Sequence, residues 1–177
     1  MGRLEGKVAI VTGAGRSGNI GEAICDAFLR EGAKGVIGTD IRLDQQAAVA
    51  SKMARNHGEG RFVMLEHDAT DAGAWERVVE TALATFGQLD VLVNNAGISV
   101  HGGIIQTSLE DLRKVMAVNH DALFLGMKIC APHLEGAIER FAGGGSIVNN
   151  LSMASYMPNA NNLSYHVSKA AGRMLTL

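Results

Sequence analysis

Short runs that are apolar on both faces alternate along the chain with longer runs whose apolar positions recur every three to four residues. The short runs are Lys7–Thr12, Gly35–Asp40, Arg61–Leu65, Leu89–Asn94 and Ser146–Leu151. A strand with no polar face belongs inside a parallel sheet covered by helices, not at a half-exposed surface. Among the longer runs, Trp75, Val78, Val79, Ala82, Leu83 and Phe86 form one apolar stripe, predicting a helix capped by Asp71 and ended by Gly87. Ala23-Ile24-Ala27-Phe28 and Ala47-Ala48-Met53 mark two earlier helices. Ala117 to Ile129 is apolar on nearly every side. It is expected to form one continuous helix, covered by the sheet on one face and by something further, such as a partner subunit, on the other. Strand–helix–strand alternation with short connections implies right-handed crossovers. The expected fold is therefore α/β, a doubly wound parallel sheet in three layers, with residues 1–177 forming a single domain.

Composition narrows the classes. Of 177 residues, 47% are hydrophobic and 19% charged, which excludes wholesale disorder. A formal net charge of −2 supplies no basic field, so neither nucleic acid nor a membrane surface is an expected partner. Cys25 and Cys130 both lie in apolar helical stretches without a disulfide framework, and the first residues lack an apolar signal core. A soluble, cytoplasmic protein is expected.

Candidate chemistry begins directly after the first strand, in Thr12-Gly-Ala-Gly-Arg-Ser-Gly-Asn-Ile-Gly21. Gly13, Gly15 and Gly18 satisfy G-x-G-x-x-G between a strand and a helix, where side chains would block a tight turn or the approach of a pyrophosphate to backbone N–H groups. An acid should follow at the end of the second strand to hold the adenosine ribose, and Asp40 stands there, 22 residues after Gly18. A carboxylate repels a 2′-phosphate, which favours NAD over NADP. Arg16 and Arg42 argue the other way, since either could pair with that phosphate.

Near the end of the chain stand Ser152, Tyr165 and Lys169. Tyr165 and Lys169 are four residues apart, so on a helix they share a face. A phenol of pKa about 10 is no base at neutral pH, and a nearby ammonium favours its phenolate by about 1.4 kcal/mol per pKa unit. Tyr-x-x-x-Lys is also common by chance on solvated helices.

Taken together, Thr12-Gly13 with its glycine-rich turn, Asn94-Asn95-Ala96-Gly97, Ser152 and Tyr165-His-Val-Ser-Lys169 resemble the short-chain dehydrogenase/reductase family, from Lys7 to the last residue. The resemblance implies reversible hydride transfer between a nicotinamide cofactor and a secondary alcohol or ketone, the small-molecule substrate. It implies that Tyr165 is the general acid/base, that Lys169 lowers its pKa and binds the nicotinamide ribose, and that Ser152 hydrogen-bonds the substrate oxygen. Asn119 matches the asparagine of the family's water-linked proton relay. Asp68 matches the acid at the adenine, with Ala69 beside it. The resemblance further implies that Asn94 to Gly97, with Asn95, Ala96 and Gly97 at the cofactor, would line it and steady the central sheet. Gly13, Gly15, Arg16, Gly18 and the Ile20-Gly21 pair ending the turn would, by the same resemblance, line it too. The family's usual subunit contact, the helix around Leu123-Phe-Leu125 with the Tyr165 helix, implies a homo-oligomer, a dimer or tetramer.

Two departures stand out. The turn from Gly13 to Gly21 is two residues longer than the usual T-G-x-x-x-G-x-G, as in the divergent enoyl-reductase branch, although the Tyr165–Lys169 spacing and Asn94-Asn95-Ala96-Gly97 fit the main branch. Only five strands are counted where the doubly wound order normally has six or more. The chain is accordingly expected to be incomplete at Leu177, and a non-catalytic nucleotide-binding module stays open as the alternative. The histidines show no metal-ligand spacing and no metal is expected; Cys130 and His133 read as a buried thiol beside a solvated ring. The triplet Gly143-Gly144-Gly145 reads as a turn, and Met153–Asn162 as a mixed wall of the substrate pocket.

Overall fold

In the computed structural model, which describes residues 2–177, five strands form one parallel sheet: β1 (Val8–Thr12), β2 (Gly35–Asp40), β3 (Phe62–Glu66), β4 (Val91–Asn94) and β5 (Ser146–Asn149). Their order is β3-β2-β1-β4-β5 with every neighbouring pair parallel. The helices are α1 (Ile20–Arg30), α2 (Gln46–His57), α3 (Ala72–Phe86), α4 (Leu109–Met116), α5 (Ala122–Leu134), α6 (Ala137–Arg140) and α7 (Leu163–Thr176).

The two-sided apolar strands are explained by two separate cores. Val8 and Ile10 of β1 pack with Trp75, Val78, Ala122 and Cys130 from α3 and α5. Ala9 and Val11, pointing the opposite way, pack with Cys25, Leu29, Val49 and Met53 from α1 and α2. The expected limits of α3 hold: Asp71 accepts from Gly73 N at 2.9 Å, and Gly87 ends the helix at φ +80°. Gly144, at φ +64°, makes the expected turn before β5, its carbonyl accepting from Lys7 Nζ at 3.0 Å.

Three sequence expectations are corrected. Leu89 and Asp90 precede β4 instead of opening it, because the fully buried Asp90 carboxylate takes the Val8 N–H at 2.8 Å and pairs with Arg140 at 2.7 Å. Asn150 and Leu151 lie beyond β5, although Asn150 N still donates to Asn94 O at 2.9 Å, and the Asn150 side chain meets Asn95 (below). The helix expected over Ala117–Ile129 is interrupted by a π-helical turn at Ala117–Asp121, where Ala122 N bonds to Ala117 O. The reason is Asn119, whose side chain is engaged outside the helix. Beyond the turn, α5 leaves Phe124 exposed, and β5 forms an edge of the sheet with Ile147 and Val148 exposed.

Candidate active site

Strand order reverses between β1 and β4, and a cleft of about 630 Å³ opens there at the carboxyl ends of the strands. Gly13, Arg16, Gly18, Ile20, Gly21, Asp40, Asp68, Ala69, Asn95, Ala96 and Gly97 all line it. Gly15 lies behind the lining, where a Cβ would stand 2.6 Å from the Asp40 Cβ, so only glycine lets the turn approach the acid. Its N–H donates to Asp40 Oδ2 at 2.9 Å, and Arg42 N donates to Oδ1 at 3.0 Å. A carboxylate has about four acceptor positions, so roughly two remain. Gly18 has φ +78° and open space where a Cβ would point, so it is the backbone conformation and not crowding that calls for glycine in the longer turn. Arg16 and Arg42 are exposed, the latter facing Asp44 at 3.7 Å. Asp68 is exposed, and its Oδ1 accepts from both Thr70 N and Thr70 Oγ1.

A ladder of amides ties the strand ends together. The Thr12 hydroxyl accepts from Asn95 N and Ala96 N at 3.0 and 2.9 Å. Asn95 Nδ2 donates back to Thr12 O at 2.8 Å, and Asn150 Nδ2 donates to Asn95 Oδ1 at 2.8 Å. Lys169 Nζ closes the ladder by donating to Asn150 O at 2.8 Å. The lysine is buried, which holds its ammonium below the usual lysine range. Its nitrogen lies 5.6 Å from the Tyr165 ring centre, as expected for residues one helical turn apart. The Tyr165 hydroxyl makes no hydrogen bond among the described residues. Ser152 caps the short turn Met153–Ser155, its Oγ accepting from Ala154 N at 3.1 Å and keeping its proton to donate.

Asn119 is fully buried inside the π-helical turn. Its Oδ1 accepts from Ile98 N at 2.8 Å, while Nδ2 donates to Ile98 O at 2.8 Å and to Ser168 Oγ at 3.0 Å. Both amide protons are thus used within the protein, pinning the segment after β4 to α7. Gly97 is the junction between the cleft and this cluster: a Cβ there would stand 3.2 Å from Asn119 Oδ1 and 3.7 Å from Lys169 Nζ.

The candidate residues from the sequence therefore converge on one end of the sheet, although Ser152, Tyr165 and Lys169 stand beside the cleft and not among its lining residues. Sequence reasoning passed over Asn150, Ser168, His67 and Asn19. His67 is buried, with Nδ1 2.9 Å from the Thr39 hydroxyl, and burial pushes its pKa down to about 4. Asn19 was detectable, because Asn19-Ile-Gly-Glu22 carries the spacing of a helix-capping box. In the structure Asn19 Oδ1 accepts from Glu22 N at 2.8 Å, and its Nδ2 donates to Gly13 O at 2.9 Å. Among the described residues no group of three or more His, Cys, Asp or Glu could hold a metal ion, and no helix is long and apolar enough to cross a membrane.

A short chain dehydrogenase family model matches residues 7–177. Over 174 residues the chain is 40% identical to a 2,5-dichloro-2,5-cyclohexadiene-1,4-diol dehydrogenase of Sphingobium indicum, covering 98% of this chain and 66% of the relative. An NADP-dependent (R)-specific alcohol dehydrogenase of Lentilactobacillus kefiri is 36% identical, with 98% and 65% covered. The chain thus spans just under two thirds of the length of these curated relatives. A short chain dehydrogenase/reductase of Burkholderia phymatum, solved in complex with NAD, superposes with TM-score 0.88 at 27% identity, covering 99% of this chain and 59% of that one. By fold, sequence and the arrangement of its strand ends, the chain belongs to the short-chain dehydrogenase family of oxidoreductases, whose members include dehydrogenases acting on hydroxyl groups.

Proposed function

We propose that this chain carries the NAD(H)-binding and proton-transfer residues of a dehydrogenase that interconverts a secondary alcohol and a ketone. The observation that carries the reading is the contact at Gly97, where the nucleotide-sized cleft meets the Asn119–Lys169 cluster beside Tyr165. The residues fit a dinucleotide. Open N–H groups on Ile20 and Gly21 at the start of α1 suit the pyrophosphate, and the two spare acceptor positions of Asp40 suit two ribose hydroxyls. When bound, the nicotinamide supplies or accepts the hydride.

The remaining steps belong to the protein. In alcohol oxidation Tyr165 Oη, free of other partners, takes the hydroxyl proton, and it returns that proton to the ketone oxygen in reduction. The Ser152 hydroxyl donates to the same oxygen as negative charge develops there. Lys169, anchored on Asn150 O, places its amino group one helical turn from Tyr165, beside the site of proton transfer. Asn119 acts through Ile98 and Ser168, setting the position of α7 against the strand ends. Asp40 favours NAD(H); the exposed Arg16 and Arg42 keep NADP(H) as the cofactor to test beside it.

Ile104, Tyr156, Pro158, Leu163 and Val167 line a second cavity and supply an apolar wall, which suits a cyclic secondary alcohol. Exposed Phe124 on α5 with Val167 and Met174 on α7 supports self-association. The two buried free thiols support a cytoplasmic setting. The test is titration with NADH and NADPH, followed by turnover on a panel of cyclic and acyclic secondary alcohols and ketones. NADH binding with turnover is the expected result. Binding without turnover would return the chain to a nucleotide-binding module, and absence of binding would overturn both readings.

A further inference from the structure

Glu22 places a carboxylate, 2% exposed, in the first turn of α1, where an incoming anion would need positive potential. Of the first four N–H groups of that helix end, Asn19 N bonds to Arg16 O and Glu22 N to Asn19 Oδ1. Those of Ile20 and Gly21 stay open among the described residues, and both residues line the cleft. The Glu22 carboxylate takes the N–H of Gly18, also in the cleft lining, at 2.6 Å. This bond steadies the longer glycine turn at its left-handed residue. It also sets a negative charge against the positive end of the helix, offsetting the potential that suits a phosphate.

The counter-charge comes from another element. Lys52 on α2 reaches across to Glu22 Oε1 at 3.0 Å, with its own side chain 42% exposed. No other cation pairs with Glu22 among the described residues. Arg16, the cation of the turn itself, is exposed and forms no ion pair there.

We propose that Lys52 is a positioning residue for the dinucleotide: by neutralising Glu22 it allows the carboxylate to brace the glycine turn without repelling the pyrophosphate from the start of α1. This rests on the dinucleotide reading above, and it adds a specific demand on a residue outside the cleft lining. Glu22 is the structural half of the device and Lys52 the electrostatic half. Removing Lys52 alone leaves a buried net negative charge in the turn; removing both charges leaves it neutral.

The test uses ADP, which carries a pyrophosphate, and adenosine, which does not, with NADH as the full ligand. Binding is measured calorimetrically on wild type, Lys52→Met, Lys52→Arg, and the double variant Glu22→Gln with Lys52→Met. Lys52→Met is expected to weaken ADP and NADH about ten-fold, equivalent to about 1.4 kcal/mol. Adenosine should change by less than about two-fold, and Lys52→Arg should match wild type. The double variant should regain most of the lost ADP affinity, because glutamine still accepts the Gly18 N–H without charge. Equal losses for adenosine and ADP would reduce Lys52 to a structural role and overturn the proposal. So would unchanged ADP binding in Lys52→Met, or a double variant as weak as the single. Wild type failing to bind ADP and NADH would instead remove the dinucleotide reading itself, and the role of Lys52 with it.

Discussion

Lys169 donates to the backbone carbonyl of Asn150 at 2.8 Å, and so joins α7 to the residue just beyond β5. Asn150 passes the connection to Asn95, and Asn95 to the Thr12 carbonyl at the head of the glycine turn. A side chain from late in the chain is thereby held in register with the first strand. Asn95 and Asn150 are half-buried, whereas Lys169 is buried, and a buried polar group costs about 1–3 kcal/mol if left unsatisfied, so the register is fixed most firmly at Lys169.

Replacing Tyr165 by Phe removes only the free hydroxyl. Turnover by the intact enzyme is expected to fall by roughly 10²–10⁴-fold, the contribution of a positioned acid/base, while NADH affinity stays nearly constant. Stopped-flow turnover beside an NADH titration separates the two, and equal loss in both would remove Tyr165 from the proton-transfer role.

Asp40→Asn keeps an acceptor for Gly15 N while removing the charge that repels a 2′-phosphate. NADH should bind more weakly and NADPH more strongly, moving the preference ratio by about ten-fold or more toward NADPH. A ratio that does not move would show that Arg16 and Arg42 already govern the choice.

Asn119→Ala strips three hydrogen bonds from a fully buried site and orphans the Ile98 amide and carbonyl. A loss of about 3 kcal/mol in urea unfolding is expected, far more than for Asp68→Ala, whose side chain is exposed. Comparable values for the two variants would contradict the clasp.

Stability should fall with acid through His67. Burial lowers its pKa from 6.5 to about 4, so between these values only the unfolded chain takes up the proton. The folded state therefore loses stability as pH drops from 6.5 toward 4, by up to about 3 kcal/mol, and loses nothing from this group above 6.5. Melting curves across that range should be steeper for wild type than for His67→Asn.

Cys25 and Cys130 are both buried, and burial pushes their thiols up, that of Cys130 to about 12. Neither should react with a thiol-modifying reagent in the native state, and both should react once the chain is unfolded. Rapid native labelling at either would mean that its core cluster opens.

Much of this molecule was readable before any coordinates. Two-sided apolar runs announced buried parallel strands, and the Asp71 and Gly87 boundaries of α3 followed from cap chemistry alone. The glycine turn, Asp40, and the Tyr165–Lys169 pair were visible as spacing. The π-helical turn was not, because its cause is a bond from Asn119 to Ile98, 21 residues earlier, and hydrophobic periodicity carries no trace of such a partner. Asn150 was missed for the same reason: an asparagine after a strand reads as a turn residue until Asn95 is found beside it.

Local conformation and face were thus determined by the sequence itself, since caps, glycines and apolar period act within a few residues of one another. Which polar groups meet across the fold was decided only by the tertiary structure. Glu22 and Lys52 are 30 residues apart, Asn95 and Asn150 are 55 apart, and Asn119 and Ser168 are 49 apart. Their pairing depends on which strands lie side by side and how each helix is rotated over the sheet. Those are properties of the packed whole, in which a buried donor must find an acceptor wherever the fold has placed one.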